Sequence, residues 1–509
     1  MTHLSVADWI VIVAYLVGVI GFGVRLGHGQ KNARDYFLGN RSISWWAVGL
    51  SIVATETSAL TFIGVPAIAF GGNLAFIQII VGYVIARVIL AIVMVPHYFK
   101  GEIYSPYQML GEAFGPGVRR TSSVFFLIAG TLAAGVRIYV TCIPLQLMLG
   151  FGESGILAAI LLFVGLSLIY TYVGGVKAVI WTDAIQFLLL AGGGLFALFY
   201  IPTRLTGGWS EAIHLASVNG KLDWFRGQFS LAAPFNIWMG LIGATFQVMS
   251  SHGADQLIVQ RVLSCKSVAD GRRSLILSAV IILPLFLLFL FVGVLLWAFY
   301  QQHAFAIIPP EAQPGVSKND YVFPIFILTE MPSVMRGFVI VAILSAAMSS
   351  VSSALSALAS VSTMDLLKNW LGREWSEHRL LQFSKRSTLA WAAVLVVVAW
   401  LSQQAGSVLN LAFSLNGLTA GGMLGALLLL LCWHRGPGWP VVIGMVASLG
   451  FMLWLSNCTW TIVENGVEVT KKVHWPWFTL AGTLATLMVA GLSRRLAAGS
   501  SVRRTAQPG

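Results

Sequence analysis

The chain alternates long apolar runs with short polar segments from one end to the other. Each run is close to 20 residues long, which lets a helix cross a hydrocarbon core of about 30 Å. We place thirteen such runs, near residues 6–25, 43–69, 74–96, 121–149, 154–173, 179–202, 232–258, 274–300, 335–364, 387–404, 407–433, 438–456 and 475–493. Because helices satisfy their own backbone hydrogen bonds in lipid, the pattern predicts an all-α polytopic membrane protein.

Composition and charge favour the same class. Of the 509 residues, 57% are hydrophobic and 10% are charged, with a mean hydropathy of +0.82, whereas a soluble domain carries roughly 25% charged residues. The net charge is +12, but most Lys and Arg residues fall in alternate loops and in the C-terminal tail. This positive-inside pattern predicts a multi-pass protein of the cell (inner) membrane, with the N-terminus outside and the C-terminus cytoplasmic. It argues against a nucleic-acid partner.

Two of the runs are interrupted in a similar way. The second, "GLSIVATETSALTFIGVPAIAFGG", contains Gly64 and Pro66, and the seventh, "GLIGATFQVMSSHGADQLIVQR", contains Gly243 and Gly253. Gly and Pro are common in membrane helices, so one interruption would carry little weight. Two of them five spans apart, beside polar residues, are typical of transporters built from inverted repeats with broken helices.

The ninth run contains an unusual number of serines, in "SAAMSSVSSALSALAS" (345–360). At about 100° per residue, six of them share one helical stripe: Ser345, Ser349, Ser352, Ser353, Ser356 and Ser360. Small residues on a membrane helix usually serve close packing. Hydroxyl oxygens in a dry site are also suitable ligands for a small hard cation. Spacing alone favours neither interpretation.

Charged residues inside apolar runs are costly and so suggest a function. Arg137 lies deep in the fourth run among small residues, with space for a ligand, and a guanidinium matches a carboxylate through two parallel donors. Glu56 could bind a substrate amine, take part in proton coupling or pair with an arginine. For Arg87, a structural salt bridge is the favoured interpretation. Asp183 could be a solvated helix-end charge or part of a cation site.

Three segments resemble motifs of the sodium:solute symporter family, which includes proline, galactose, sialic acid, sodium–glucose and sodium–monocarboxylate transporters. These are "GGVKAVIWTDAIQ" (174–186), "GADQLIVQR" (253–261) and "SSVSSALSALASVSTMDLL" (349–367), and the similarity runs over roughly residues 5–495. The resemblance implies a single transporter domain over 1–509 with the five-plus-five inverted-repeat (LeuT-like) fold. Its parts would be an extra N-terminal span (6–25), two repeats (43–202 and 232–433), extra C-terminal spans (438–493) and a cytoplasmic tail (494–509).

The resemblance also implies sodium sites. The first would use backbone carbonyls and hydroxyls of Ala54, Thr57, Ala346, Ser349 and Ser350. A second, found in the sialic acid transporters of the family, would use Asp183, Ser349, Ser352 and Ser353. One or two sodium ions would then be the coupling ions, and no organic cofactor is expected.

The substrate site implied by the resemblance is less complete. Ser58, Thr61 and Arg137 match the sialic acid transporters, and Phe76 matches an aromatic wall. The family's glutamine is replaced by Ile80, with Gln78 nearby, and Glu56 is atypical. We therefore include Gln78 and Glu56 among the candidate substrate-binding residues and expect a small carboxylate.

The leading hypothesis is a sodium-coupled symporter that imports a small, anionic solute by alternating access, for example a sialic or other sugar acid or a monocarboxylate. A proton-coupled symporter, a symporter of a neutral sugar or amino acid, and a transporter-like sensor are the alternatives. A membrane enzyme is disfavoured because the loop 203–231 offers no recognisable catalytic constellation. No obligatory protein partner is evident.

Overall fold

The computed structural model describes residues 4–27, 30–148, 155–233, 235–309, 311–313, 316–317, 319–368, 375–404, 408–464 and 467–505. Its helices are α1 (Val6–Leu26), α2 (Ala33–Leu38), α3 (Trp45–Glu56), α4 (Ala59–Gly71), α5 (Ile77–Val93), α6 (Val95–Tyr98), α7 (Pro106–Phe114), α8 (Pro116–Met148), α9 (Ile156–Thr203), α10 (Gly208–Val218), α11 (Thr245–Gly253), α12 (Gln256–Leu263), α13 (Val268–Gln302), α14 (Val322–Glu330), α15 (Met335–Val361), α16 (Glu377–Leu401), α17 (Val408–Trp433), α18 (Trp439–Asn457) and α19 (Pro476–Thr505). A π-helical turn at Met239–Ala244 precedes α11, and another at Ser362–Leu367 follows α15.

Strands are confined to two small antiparallel hairpins within the described residues. β1 (Glu311–Gln313) pairs with β2 (Val316–Ser317), and β3 (Thr459–Glu464) pairs with β4 (Val467–Lys472). The second hairpin joins α18 to α19 and brings the chain to one end of the helix bundle.

The described part of the chain contains nine helices that are long and apolar enough to cross a membrane, and a tenth span if the bent pair α3–α4 is counted as one. The predicted all-α membrane class is confirmed. Within the described residues, each of the thirteen predicted runs overlaps a helix, and residues 149, 154, 234 and 407 of these runs lie outside the described part of the chain. The number of runs that cross the bilayer and their grouping into repeats remain predictions.

The predicted fifth and sixth runs meet in one helical element, α9. Gly175 interrupts its course with φ +52° and ψ −156°, a conformation that only glycine adopts readily. A side chain there would also collide with the backbone, since an added Cβ would overlap the Tyr36 carbonyl oxygen. Gly175 therefore allows two apolar stretches to follow one another without a loop.

The serine-bearing helix α15 forms the centre of the bundle. It is buried over almost its whole length and packs against α9, α8, α3 and α1. Its N-terminal end is fixed by Asp8 of α1, whose Oδ1 accepts hydrogen bonds from the amides of Val334 (2.9 Å) and Gly337 (3.0 Å). Arg336 completes this contact by donating Nε to Asp8 Oδ2 at 3.1 Å. A carboxylate at a helix N-terminus satisfies unpaired amides and stabilises the helix dipole.

Candidate functional site

The break between α3 and α4 exposes backbone carbonyls in the middle of the predicted second span, where the two helices form an angle of 56°. The Ser58 amide donates to the Glu56 carbonyl at 3.2 Å, and the Thr61 amide donates to the Ser58 carbonyl at 2.8 Å. A continuous helix would have directed these two amides to the carbonyls of Ala54 and Thr57. Both carbonyl oxygens thus lose their usual helical donors, as a cation site would require.

The serine stripe of α15 has two uses, which accounts for both interpretations of its pattern. Ser356 and Ser360 accept hydrogen bonds from Gln260 (3.2 Å) and Gln256 (3.3 Å) of α12, so this end of the stripe connects two helices. The other end, at Ser349–Ser353, faces α3 and α9 instead. There Thr55 Oγ1 lies 3.4 Å from Ser353 Oγ, which places the broken end of α3 against α15.

Asp183, on α9, is fully buried and contacts three other helices, α3, α12 and α15. Its Oδ1 accepts a hydrogen bond from Ser349 Oγ at 2.7 Å, and its Oδ2 accepts one from Ser51 Oγ at 2.6 Å. The Arg261 guanidinium donates Nη2 to Oδ2 at 2.9 Å and Nε to Ser51 Oγ at 2.8 Å. The interpretation of Asp183 as a solvated helix-end charge is wrong, because the side chain has no exposed surface and has a buried ionic partner.

Sequence reasoning did not single out Arg261. It is the last residue of the motif "GADQLIVQR", and the predicted seventh run ended three positions before it. Its side chain is 1% exposed and turns back along α12 toward Asp183. The sequence signal that could have identified Arg261 is its charge at the end of a motif that otherwise lies in a membrane helix.

The residues of the two expected sodium sites fit a cation to different degrees. At the first, the Ala54 and Thr57 carbonyls and the Ser349 and Ser350 oxygens are neutral; Ser350 Oγ donates to the Ala346 carbonyl at 3.2 Å. At the second, Ser352 and Ser353 donate to the Ser349 carbonyl at 3.1 and 2.6 Å. Arg261 donates to both Asp183 and Ser353. A positive group of the chain therefore already uses two of the four expected ligands of the second site.

A cavity of about 340 Å³ adjoins the helix break. Its wall includes five of the six candidate substrate residues, namely Glu56, Ser58, Thr61, Phe76 and Arg137, together with Ser350 and Ser353 of α15. The remaining candidate, Gln78, lies outside the wall. Gln78 donates Nε2 to the Phe235 carbonyl at 2.8 Å and accepts from the Arg226 amide at 3.1 Å, so it positions a loop at the rim of the cavity.

Glu56 belongs to an ionic network on one side of the cavity. Its carboxylate accepts a hydrogen bond from Arg87, which is completely buried, and its Oε2 lies 3.7 Å from His252 Nε2. His252 also contacts Arg87 Nη2 at 3.1 Å and Ser251 Oγ at 2.9 Å. The structural salt bridge favoured for Arg87 is present, with Glu56 as its partner.

Arg137 has a different environment. Although its side chain lines the cavity, no ion pair or side-chain hydrogen bond of its guanidinium occurs among the described residues. Asp255, at the N-terminus of α12, lies on the same cavity wall and adds a carboxylate to it. Its Oδ1 accepts a hydrogen bond from the Leu257 amide at 2.8 Å. The cavity thus presents a guanidinium whose donors are available to a solute.

The comparisons with known proteins agree with the motifs. The model of the sodium:solute symporter family matches residues 36–445. The sodium/sialic acid symporter SiaT of Proteus mirabilis is 30% identical over 454 residues, covering 87% of this chain and 88% of the relative. NanT of Aliivibrio fischeri, also a sodium/sialic acid symporter, is 29% identical, with 96% and 92% covered. The human sodium-coupled monocarboxylate transporter 1 is 29% identical, with 88% and 73% covered.

Solved structures give the same result. A sodium-coupled sialic acid symporter in a substrate-bound, outward-open state has a TM-score of 0.84 at 27% identity, covering 97% of this chain and 98% of that one. MHP1, of the nucleobase-cation-symport-1 family, has a TM-score of 0.59 at 15% identity and shares the fold alone. The protein is therefore a multi-pass membrane transporter driven by sodium, and not an enzyme. The chain belongs to the sodium:solute symporter family.

Proposed function

We propose that the protein imports a small organic carboxylate together with sodium, and that Arg137 binds the carboxylate. The observation that carries this proposal is the guanidinium of Arg137 in the cavity wall, without an ionic partner among the described residues. Arg137 is half-buried, and a guanidinium partly removed from water is stabilised by pairing with an anion. A solute carboxylate would complete that pair through two charge-assisted hydrogen bonds.

The size and lining of the cavity favour a sugar acid over a two- or three-carbon acid. A volume of about 340 Å³ lies within the usual range for ligands of drug size, about 300–1,000 Å³. Ser58 and Thr61 add hydroxyl groups beside Arg137, and the Phe76 ring forms an apolar wall. Two relatives are named as sialic acid symporters, which supports the same substrate class.

Sodium would bind at the first site, between the break in α3–α4 and α15. The hydroxyl proton of Ser349 is directed to Asp183, so its oxygen lone pairs are available to a cation. Because Arg261 balances the charge of Asp183, the second site would bind a further sodium only after Arg261 moved. We therefore propose one sodium ion per cycle, with Asp183 and Arg261 as supports for Ser349.

Coupling would follow from shared residues. Ser350 belongs to the first sodium site and also lines the solute cavity. Sodium would order the end of α3 against α15 and so complete the cavity. The effect must be reciprocal, because a solute that binds more tightly with sodium tightens sodium binding by the same factor. With the N-terminus outside, as the charge distribution predicts, the inward sodium gradient would drive uptake.

A binding measurement with a neutral analogue tests the role of Arg137. N-acetylneuraminate and its methyl ester are compared in sodium buffer on the purified chain. We expect the ester to bind at least ~10-fold more weakly, since a charge-assisted hydrogen bond contributes about 1.5–3 kcal/mol. In Arg137→Ala the two ligands should bind equally. Arg120→Ala is the matched control, because Arg120 belongs to the same helix as Arg137 but lies outside the cavity. Equal binding of acid and ester by the wild-type chain would contradict the proposal.

Proton coupling is the second candidate, because Glu56 and His252 line the cavity with 3.7 Å between their side chains. The two functions are separated by replacing sodium with potassium at constant pH. Uptake that persists in potassium and requires an inward proton gradient would favour the proton-coupled mechanism.

A further inference from the structure

The C-terminal part of the chain contributes to the cavity wall. His474 and Trp475 lie between the β3–β4 hairpin and α19, and both line the cavity together with Phe235. The His474 amide donates to the Leu231 carbonyl at 2.9 Å, which connects this segment to the loop before the π-helical turn at Met239–Ala244. A Cβ on Gly243 would lie 2.9 Å from the Pro476 carbonyl oxygen, so the two segments cross in close contact.

A row of aromatic rings runs along this wall. Phe286 stacks with Phe76 (5.9 Å between ring centroids), Phe76 meets Phe235 edge-on (4.9 Å), and Phe235 meets the His474 ring (5.8 Å). Trp475 follows, 5.8 Å from His474. The row extends from the candidate substrate residue Phe76 to the rim formed by the two loops. Ring faces in such a row offer flat apolar surfaces with polar edges.

Phe235 is held in a strained conformation at this rim. Its φ is +61°, in the left-handed region that residues with side chains seldom adopt. Gln78 donates to its carbonyl at 2.8 Å and thereby fixes the backbone. Strain of this kind persists only where the surroundings enforce it and is common at ligand clamps. Its presence beside the cavity is consistent with a ring that is positioned for a ligand.

His474 has an unused hydrogen-bonding atom. Its Nδ1 is buried and has no hydrogen-bond partner in the described part of the chain. Burial, together with the charge of Lys472, lowers the pKa of His474 to about 4, so the ring is neutral near pH 7. A neutral imidazole donates from one nitrogen and accepts at the other. Its natural partner is an uncharged hydroxyl or amide, because buried polar groups are normally hydrogen-bonded.

We propose that Phe235, His474 and Trp475 form an outer subsite for the hydroxylated or amide-bearing end of the solute, whose carboxylate binds Arg137. The assignment of the carboxylate end rests on the function proposed above. His474 and Trp475 lie outside the two expected repeats (43–202 and 232–433), so the C-terminal extension takes part in solute selection. A short acid bound at Arg137 leaves His474 unpaired. The site therefore discriminates against it, as sites built around a hydrogen bond do.

The experiment compares a long and a short acid on the purified full-length chain in sodium buffer. The dissociation constants of N-acetylneuraminate and lactate are measured for the wild-type chain, His474→Ala and His474→Gln. His303→Ala is the matched control, since His303 ends α13 and does not line the cavity. We expect His474→Ala to weaken N-acetylneuraminate about 10-fold, the effect of one lost hydrogen bond. Lactate binding and the sodium concentration for half-saturation should change less than about 2-fold.

His474→Gln should recover most of the affinity, because its amide keeps a donor and an acceptor. Unchanged N-acetylneuraminate binding in His474→Ala, or equal losses for both acids, overturns the proposal. If neither variant folds, the wild-type chain is treated with diethyl pyrocarbonate and the modification of His474 is measured. If N-acetylneuraminate protects His474 from modification and lactate does not, the subsite is supported. If neither acid protects His474, the proposal is overturned. If the wild-type chain binds galactose and no acid, the carboxylate proposal fails, and the same variants test the subsite with galactose.

Discussion

The buried pair of Asp183 and Arg261 gives the sharpest prediction for the sodium sites. Both side chains are essentially inaccessible, and Asp183 Oδ2 lies 2.9 Å from Arg261 Nη2. Replacing Asp183 with Asn leaves a buried guanidinium without its counter-charge, which typically costs about 3–5 kcal/mol. Asp183→Asn and Arg261→Gln should therefore each be strongly destabilised. The double variant should recover most of that loss, because no uncompensated charge remains.

The assay is thermal or denaturant unfolding of the detergent-solubilised chain, analysed as a double-mutant cycle. A coupling energy of at least ~2 kcal/mol between the two positions is expected from the cost of a lone buried charge. Sodium is then titrated into the double variant, with stabilisation as the readout. Since neither residue is proposed to bind sodium directly, the double variant should retain one sodium site, with weaker binding because Ser349 loses its charged support.

Arg119 and Asp365 provide a matched control. They form a second Arg–Asp pair, 2.8 Å apart, and Asp365 is fully buried. The corresponding double variant should change stability without altering the response to sodium. The reasoning is refuted if the wild-type chain binds two sodium ions cooperatively and Asp183→Asn removes one of them. Asp183 would then be a sodium ligand, and Arg261 would have to move away when the ion binds.

Three further predictions concern single positions. Ser350→Ala should raise the sodium concentration for half-maximal uptake several-fold, because one oxygen ligand is lost. Sodium titration of uptake measures this, and Ser350→Thr, which keeps the hydroxyl, should show a smaller increase. Glu56→Gln should destabilise the chain by about 3–5 kcal/mol, since the buried Arg87 loses its anionic partner, yet leave uptake dependent on sodium. Uptake that becomes independent of protons would instead favour proton coupling. Asp8→Asn should lower the free energy of unfolding by about 1–3 kcal/mol through loss of the charged contact to the start of α15. An unchanged free energy of unfolding would show that α1 is not needed to hold that helix.

Much of the fold could be predicted because apolar runs of membrane length are direct consequences of the bilayer. The interruption near Gly64 and Pro66 correctly drew attention to the second span. However, the helix breaks earlier, at Thr57–Ser58, and Pro66 lies inside α4. Pro66 leaves the Phe62 carbonyl, one turn earlier, without its helical donor, yet α4 continues past it, with α13 packed closely against the Pro66 backbone at Gly293. Composition could not locate the break, because that depends on tertiary contacts.

The candidate site was predicted in part. The helical period placed the serines on the helix that packs against the break in α3–α4, and the small residues Ala133 and Ala134 line the cavity beside Arg137. The partner of Asp183 could not be predicted, because Arg261 is 78 positions away and only the packing of α12 against α3 and α15 brings the two together. Likewise, His474 and Trp475 lie in a segment with no motif. Their place in the cavity wall follows from how the β3–β4 hairpin returns the chain to α19.

The central claim is that sodium drives uptake of a carboxylate. The measurement that tests it most directly is uptake of radiolabelled N-acetylneuraminate into proteoliposomes, with an inward sodium gradient or an equal potassium gradient at constant pH. The account predicts accumulation above the external concentration in sodium, none in potassium, and loss of uptake in Arg137→Ala with sodium binding retained. Equal uptake with either ion, or full uptake by Arg137→Ala, would contradict it.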